Sequence, residues 1–188
     1  MMFKEKIEAY QPINEQEAQD KKVILDYIQA FTHNVLTREN EFAHLTSSSF
    51  IVNESLDKVL MVYHNLYKSW AWTGGHADGD ADLLAVAIKE AKEETGITKV
   101  TVLSEEIMAL DILPVWGHIK KGKYVSSHQH LNVSYLLMAD ESEVLKIKAD
   151  ENSNVGWIPL DQLKLYCEEP QMMPVYEKLI NKVNQMKG

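Results

Sequence analysis

The sequence predicts an α/β domain that is preceded by a helical segment. Short runs of β-forming residues lie on both sides of an amphipathic helix, the residues before the first run show helical spacing of apolar side chains, and a second helical pattern closes the chain. The length of 188 residues suits one domain with room for an appendage. We therefore expect residues 1–42 to form a helical extension and residues 43–188 to form one domain that includes the C-terminal helix.

The first predicted element is a helix over residues 14–37. Asn14 followed by Glu17 resembles a capping box, since both side chains can serve backbone amides at a helix start. Apolar side chains recur at steps of three and four residues, at Val23, Ile24, Tyr27, Ile28, Phe31 and Val35. Because this stripe lies outside the expected domain, it needs a partner. The partner is either the chain's own sheet or a second subunit, and we expect a homodimer.

The domain itself is predicted to begin with strands. Runs rich in β-forming residues cover residues 46–52, 59–63, 98–103 and 107–115. Lys120, Lys121, Gly122 and Lys123 predict a hairpin turn, with a return strand over residues 128–138. A late strand is expected within residues 151–161 and a final helix over residues 174–186.

The helix predicted over residues 82–95 carries the most informative pattern in the chain. Glu90 stands three residues before Glu93 and four before Glu94, so the three carboxylates share one helical face, which we expect to face solvent. A hard divalent cation with a preference for oxygen ligands would offset their repulsion. The opposite face is apolar and suits packing on a sheet, with Leu84, Ala87, Ile88 and Ala91. Gly96 stands where a helix ends in a left-handed cap.

Residues 75–97 resemble a Nudix box, the signature G-x5-E-x7-R-E-U-x-E-E-x-G-U in which U is a bulky aliphatic residue. The matches at the required spacing are Gly75, Glu90, Glu93, Glu94, Gly96 and Ile97. Two positions depart from the signature, because Ala81 stands in place of its first glutamate and Lys89 in place of its arginine. The resemblance implies an α/β/α sandwich with a mixed sheet, the Nudix-type fold, extending over roughly residues 46–163.

For this family the resemblance implies hydrolysis of a nucleoside diphosphate linked to another moiety, with Mg2+ or Mn2+ as cofactor. Metal ions neutralise the charge that develops on phosphate oxygens. Glu90, Glu93 and Glu94 are the expected metal ligands, with Glu90 and Glu94 at the core because they lie one helical turn apart. Glu93 and Glu94 are the expected catalytic residues, Glu93 either completing the metal site or serving as general base. A base on a later loop, Glu141 or Glu151, is the alternative.

The two departures from the signature leave a second interpretation open. Lys89 keeps a positive charge but lacks the planar fork with which arginine holds a carboxylate. Asp80 and Asp82 flank Ala81 and could supply a substitute carboxylate or a helix cap. We expect an active enzyme, and the alternative is a Nudix-fold protein that binds or senses nucleotides without useful turnover. An isopentenyl diphosphate isomerase, which shares the fold, would need a cysteine ahead of the box, whereas the single cysteine is Cys167.

The glycines that enter the box are the first expected substrate contacts. Gly74 and Gly75 can adopt positive φ and thereby bring the backbone close to the phosphates. His76 follows directly and is a further candidate for contact with a phosphate.

Two histidines of the later strand are the other expected substrate contacts. His128 and His130 share one face of that strand because side chains alternate with a period of two. As zinc ligands they would need a third partner, for which His118 across the hairpin turn is conceivable. We expect them instead to line the substrate site and to bind phosphate or ribose.

The substrate itself is indicated by one residue. Family members that act on ADP-ribose tend to carry a proline a short distance beyond the box, and Pro114 stands at a similar distance after Ile97. This favours an ADP-ribose-like compound, while dinucleoside polyphosphates, oxidised nucleotides and nucleotide sugars stay open.

Composition argues against nucleic acid and membrane as partners. With 28 acidic and 19 basic residues, a net charge of −9 and a pI near 5.2, the surface repels a phosphate backbone, so we expect a small-molecule nucleotide-type substrate. No segment has the apolar length of a membrane span, and the first residues lack the apolar run of a signal peptide. A single cysteine, Cys167, suits a reducing compartment, and we expect the protein to be cytoplasmic.

Overall fold

The structure is a computed structural model that describes residues 3–120 and 122–187. Lys121, which belongs to the predicted hairpin turn, lies outside the described residues, as do the predicted domain ends at residues 1, 2 and 188. In the described part of the chain, no helix combines the length and the apolar character needed to cross a membrane.

Along the described chain, two helices precede the first four strands, a third helix separates these from the later strands, and two helices follow the last strand. The helices are α1 (Phe3–Ala9), α2 (Glu15–Ala30), α3 (Leu83–Thr95), α4 (Leu163–Tyr166) and α5 (Met173–Met186). The strands are β1 (Ala43–Val52), β2 (Lys58–His64), β3 (Ser69–Ala71), β4 (Thr73–His76), β5 (Thr101–Val102), β6 (Ala109–Val115), β7 (His118–Lys120), β8 (Lys123–Val125), β9 (His128–Met138) and β10 (Asn152–Pro159).

A mixed sheet of eight strands forms the centre of the domain. β1 and β9 run parallel, in register from Ala43 opposite Gln129 to Val52 opposite Met138, and the other pairs are antiparallel. β9 confirms the strand predicted over residues 128–138, but its predicted role as the return strand of the hairpin is wrong, because β7 pairs with β8 in a separate ribbon and β9 pairs with β6. The reason is burial, since β6 and β9 carry buried apolar side chains whereas most residues of β7 and β8 are exposed.

Helices cover both faces of the sheet and confirm the predicted α/β/α sandwich. On one face, α2 and α3 pack with strand residues around Leu45, Leu110 and Leu131. On the other face, α5 packs through Tyr176 and its apolar neighbours against β1, β2 and β9. α5 carries apolar side chains along one side, and each strand directs alternate side chains to one face of the sheet. Each of these apolar surfaces is buried only when a second layer packs on it.

α2, the helix predicted over residues 14–37, begins where the sequence predicts and ends earlier. Asn14 Oδ1 accepts a hydrogen bond from the backbone N–H of Glu17 at 2.8 Å, which confirms the predicted cap. α2 ends at Ala30, not at residue 37. The helix stops because Phe31 leaves the helical conformation, with φ of −122° and ψ of 41°. Beyond it, the carbonyl of Val35 accepts the N–H of Leu45 in β1 at 2.8 Å.

The apolar stripe of this segment is covered by the chain's own sheet. Ile24, Ile28 and Val35 are buried in the core that contains the β6 and β9 side chains, while Val23 and Phe31 remain exposed. Of the two predicted partners for the stripe, the chain's own sheet is therefore the one observed, and the stripe no longer gives a reason to expect a dimer. Dimer formation itself stays a prediction, and light scattering of the full-length protein at micromolar concentration checks it; a monomer would contradict it.

We propose that the extension belongs to the same cooperative folding unit as the domain. Replacing Ile24, which is fully buried, by alanine should lower the free energy of unfolding by roughly 2–5 kcal/mol, because it leaves a cavity between α2 and the sheet. Urea unfolding followed by circular dichroism measures the loss. The matched control is Val23→Ala on the exposed side of the same helix, which should change stability by no more than about 0.5 kcal/mol. Equal losses in the two variants would contradict the proposal.

Candidate active site

The two ends of α3 are set by local contacts that the sequence predicts. Asp82 Oδ1 accepts the N–H of Ala85 at 3.1 Å and caps the first turn. Asp80 Oδ1 in turn accepts the N–H of Asp82 at 2.8 Å, so carboxylates on both sides of Ala81 hold the entry loop. Gly96 ends the helix with φ of 78°, in the left-handed conformation. These contacts confirm both predicted helix ends and place the glutamates of α3 against β4.

Glu94 is buried, and the expectation that it faces solvent is wrong. Only 3% of its surface is exposed, because β4 passes over this side of the helix. Its Oε1 accepts a hydrogen bond from the backbone N–H of Gly74 at 3.0 Å. The Asn152 side chain also donates to the carbonyl of Glu94 at 3.0 Å, which joins the start of β10 to the end of α3. The carboxylate is thus held by the backbone of β4, and the main chain of Glu94 is held by the Asn152 side chain.

Burial dominates the protonation of Glu94. Loss of hydration, followed by the negative charges of Glu151 and Glu90, raises its pKa to about 8, although the Gly74 N–H opposes the shift. A cation bound beside the carboxylate would stabilise its ionised form. Lys148 also favours the ionised form, yet the pKa stays raised, so the described side chains neutralise the carboxylate only in part, and a bound metal ion would complete the neutralisation.

Three carboxylates meet at this position. One oxygen each from Glu90, Glu94 and Glu151 lie within 4.8 Å of one another. The side chain of Glu90 is mostly buried, and burial raises its pKa as well. Glu151 comes from the loop before β10, far from the helix in sequence. The sequence named it only as an alternative base, and its signal was no more than an acidic residue beside a predicted strand.

Glu93 lies outside this group of carboxylates. Its oxygens are 3.8 Å from Lys89 Nζ and 3.6 Å from Lys148 Nζ, and 43% of its side chain is exposed. Lys148 also contacts Glu151 at 3.0 Å, so it bridges the exposed glutamate and the group. The predicted roles of Glu93 as metal ligand or base stay predictions. The other alternative base, Glu141, is held by Lys58 and Asn53.

Gly74 and Gly75, the two glycines before α3, let β4 lie close to its neighbours and do not form a turn with positive φ. Both lie in β4, paired with β1, and neither has positive φ, so that expectation is wrong. A Cβ on Gly74 would stand 2.9 Å from the carbonyl oxygen of Ser47 and would clash with Ser48 Oγ. A Cβ on Gly75 would stand 2.6 Å from Glu90 Cδ. Glycine is therefore required where β4 contacts β1 and the Glu90 carboxylate.

The three histidines predicted as substrate contacts lie together in a group separate from the carboxylates, and this group includes a fourth histidine that the sequence argument did not name. His76, His128 and His130 lie together with His44, each offering one ring nitrogen within 4.8 Å of the others. His118, the conceivable third ligand, instead contacts the carbonyl of Trp116. His44 escaped the sequence argument because it stands at the start of a different strand, and only the parallel pairing of β1 with β9 places it opposite His130.

A family model described as NUDIX domain matches residues 43–180. Among curated proteins, no significant match to the chain was found.

Solved structures of the same fold include three hydrolases. An Ap4A hydrolase of C. elegans is 20% identical, with 75% of this chain and 98% of that chain covered and a TM-score of 0.55. A NUDIX family hydrolase from Clostridium perfringens is 24% identical, with 74% and 97% covered and a TM-score of 0.52. The dihydroneopterin triphosphate pyrophosphohydrolase of E. coli is 13% identical, with 73% and 95% covered and a TM-score of 0.55. At these identities the likeness shows the fold alone.

Proposed function

This chain belongs to the Nudix hydrolase family, and on that basis we propose that it hydrolyses the pyrophosphate linkage of a nucleoside diphosphate linked to another moiety, with Mg2+ or Mn2+. The observation that carries the proposal is the meeting of Glu90, Glu94 and Glu151. Hard divalent cations prefer such oxygen ligands, and Mg2+ is commonly held by few carboxylates, with phosphate and water completing its coordination. The raised pKa of Glu94 supports the same assignment, since the positive charge of Lys148 neutralises its ionised form only in part.

Each carboxylate is proposed to have a separate task. Glu94, fixed by the Gly74 N–H, and Glu90, fitted against Gly75, hold the metal ion from α3, and Glu151 completes the group from the loop before β10. The ion supplies positive charge opposite the phosphate oxygens on which negative charge develops. Glu93, at the exposed edge, is the proposed general base for the attacking water, with Glu151 as the alternative. Comparing kcat of Glu93→Gln and Glu151→Gln at saturating metal separates these two roles.

The substrate is proposed to be small and nucleotide-like. Pro114, an exposed residue of β6, is the basis for preferring an ADP-ribose-like compound. The backbone of Gly74 and Gly75 is the proposed phosphate contact, and His76, His128 and His130 are candidate contacts for the rest of the substrate. The excess of acidic residues argues against nucleic acid, and we propose a cytoplasmic enzyme.

A substrate screen with both metals tests the proposal. ADP-ribose, Ap4A and a nucleotide sugar are incubated with the enzyme and an added phosphatase, which releases phosphate only from the products. Dihydroneopterin triphosphate is followed by pyrophosphate release. Turnover should require Mg2+ or Mn2+ and should disappear with a chelator and in Glu94→Gln. Chelator-resistant turnover, or turnover that Glu94→Gln retains, would contradict the assignment of the site.

A nucleotide-binding or sensing role is the second candidate function. Ala81 and Lys89 favour it, because the family's first glutamate and arginine are both absent. Lys89 Nζ lies 3.5 Å from Glu90 Oε1, and 64% of its side chain is exposed, so it holds the carboxylate less firmly than a buried fork would. Tight binding of a panel compound without turnover in either metal would select this function.

Lys89→Arg should preserve or raise kcat, with a change of no more than roughly fivefold, because contacts of so exposed a cation are weak. Arginine offers a forked donor to Glu90 and Glu93, both of which already contact the lysine. Steady-state kinetics with the preferred substrate measures the effect, and Lys89→Ala is the control that removes the charge. A large fall in kcat for the arginine variant would mean that the site requires the compact ammonium group.

A further inference from the structure

Four histidine rings from three strands form a cluster apart from the carboxylates. His44 begins β1, His76 ends β4, and His128 and His130 begin β9. Ring centroids are 4.9 Å apart for His44 and His76, 5.0 Å for His44 and His128, and 4.9 Å for His76 and His130. One nitrogen from each ring lies within 4.8 Å of the other three. Such convergence of imidazoles, without a carboxylate among them, needs a physical explanation.

The cluster and the carboxylates lie on opposite sides of β4. Gly75 is paired with Ser47, whose hydroxyl donates to the carbonyl of Leu83 in α3, so this pair faces the helix. His76 is paired with Thr46, and successive residues of a strand point to opposite faces. The histidines are therefore a second site and not an extension of the glutamate group.

Backbone contacts orient two of the four rings. His44 Nδ1 lies 2.9 Å from the carbonyl oxygen of Asn40, and His128 Nδ1 lies 2.8 Å from that of Ser126. A carbonyl only accepts hydrogen bonds, so Nδ1 must carry the proton and Nε2 is left with a free lone pair. This arrangement is the usual one for a metal-binding histidine, whose second nitrogen donates to a carbonyl or carboxylate.

The remaining nitrogens are short of partners. The Nε2 atoms of His44 and His130 are buried and have no hydrogen-bond partner among the residues that the structure describes. An unpaired buried polar atom costs free energy, so a ligand at this point would relieve the cost. Burial also lowers the pKa of His44, that of His76 to about 3, and that of His130. Neutral imidazoles are the form that a metal ion requires.

We propose that His44, His76, His128 and His130 bind one Zn2+ ion. Imidazole nitrogen suits Zn2+, whereas Mg2+ and Ca2+ prefer oxygen ligands. Tetrahedral coordination with Zn–N bonds of about 2.0–2.1 Å places the nitrogens roughly 3.3 Å apart, so the rings need only a small inward movement from their present separation.

The proposed ion has a structural task. Four protein ligands fill a tetrahedral site and leave no position for substrate or water, which is typical of structural zinc, so this role would replace the candidate substrate contacts of His76, His128 and His130. The ion would join the starts of the parallel strands β1 and β9 to the end of β4, directly after Gly75, which lies against Glu90. It would stabilise the sheet edge next to the active site without taking part in hydrolysis.

Cobalt substitution of the full-length protein tests the site. Chelator-treated protein is titrated with Co2+ in saturating Mg2+, which occupies the oxygen site. Tetrahedral nitrogen ligation gives strong visible absorption that an oxygen-rich octahedral site does not. We expect one Co2+ per chain, displaced by one Zn2+. Zinc at about 100 times its Kd should raise the Tm by roughly 5–10 °C.

Variants distinguish this site from the carboxylates and from a substrate contact. His44→Gln and His130→Gln should each abolish the visible absorption and the zinc-dependent rise in Tm, with circular dichroism in chelator showing that each variant is folded. His118→Gln, a matched histidine outside the cluster, and Glu94→Gln should keep both signals. Absence of the absorption, its survival in both His44→Gln and His130→Gln, or its loss in Glu94→Gln would overturn the proposal. Weaker nucleotide binding by the histidine variants without any absorption would overturn it in favour of a substrate contact.

Discussion

Glu94→Gln should lower kcat by at least about 100-fold while the protein remains folded. The substitution keeps the size of the side chain and an oxygen that accepts the Gly74 N–H, but it removes the charge that Glu90 and Glu151 are proposed to share with a metal ion. Steady-state kinetics over a Mg2+ titration measures the loss. The control for metal affinity is Glu93→Gln, an exposed glutamate on the same turn, which as the proposed base should lower kcat but leave the Mg2+ concentration for half-maximal activity unchanged. Wild-type turnover of Glu94→Gln at limiting Mg2+ would refute the ligand assignment.

The stability of the same variant separates a functional from a structural role. In metal-free protein the folded-state pKa of Glu94 is about 8, above its ordinary value of 4.5, so the folded state holds the proton more tightly than the unfolded chain. This contribution to stability is present at low pH and is lost as pH rises through that range. Glutamine is neutral throughout, so in chelator the variant should be at least as stable as wild type at pH 8. Loss of cooperative unfolding would instead show that the ionised carboxylate supports the fold.

Gly75→Ala should lower activity by roughly 10–100-fold with little change in stability. A Cβ there would stand 2.6 Å from Glu90 Cδ and 2.9 Å from its Oε1, so the carboxylate must move away from Glu94 and Glu151. The displacement should appear as a weaker apparent affinity for Mg2+ and a lower kcat. Gly156→Ala in β10 is the control, because its Cβ would meet only Trp70 at 3.7 Å, an ordinary contact.

Gly74→Ala should lower stability more than Gly75→Ala does. A Cβ on Gly74 would press on the backbone of β1, 2.9 Å from the Ser47 carbonyl oxygen and 3.0 Å from Ser48 Cα. Strands cannot yield as a side chain can, so Gly74→Ala should cost about 1–3 kcal/mol of stability, measured by urea unfolding. If Gly75→Ala were as destabilising as Gly74→Ala and equally active, the proposed contact with Glu90 would be wrong.

Features of the active site that depend on nearby residues could be predicted from the sequence. The spacing of Glu90, Glu93 and Glu94, the cap at Asp82 and the left-handed end at Gly96 all follow from helical geometry within a few residues. The same holds for the Asn14 cap and for most strand positions, because alternation and capping act over short distances. The resemblance to the Nudix family rests on this local pattern.

Features that depend on strand pairing were decided only by the tertiary structure. The burial of Glu94 requires β4 to cross the helix, and the approach of Glu151 requires the loop before β10 to close over it. The reason for Gly74 and Gly75 lies in contacts with β1 and Glu90, not in their own φ angles.

Strand order likewise decided the histidine cluster and the position of the N-terminal helix. His44 meets His130 because β1 and β9 are parallel neighbours, a pairing between residues distant in sequence that no local pattern encodes. Periodicity showed that α2 has an apolar side, but not which surface covers it. Burial of such a stripe gives a similar free-energy gain on any apolar surface of the right shape. Within the same chain, the completed sheet provides that surface.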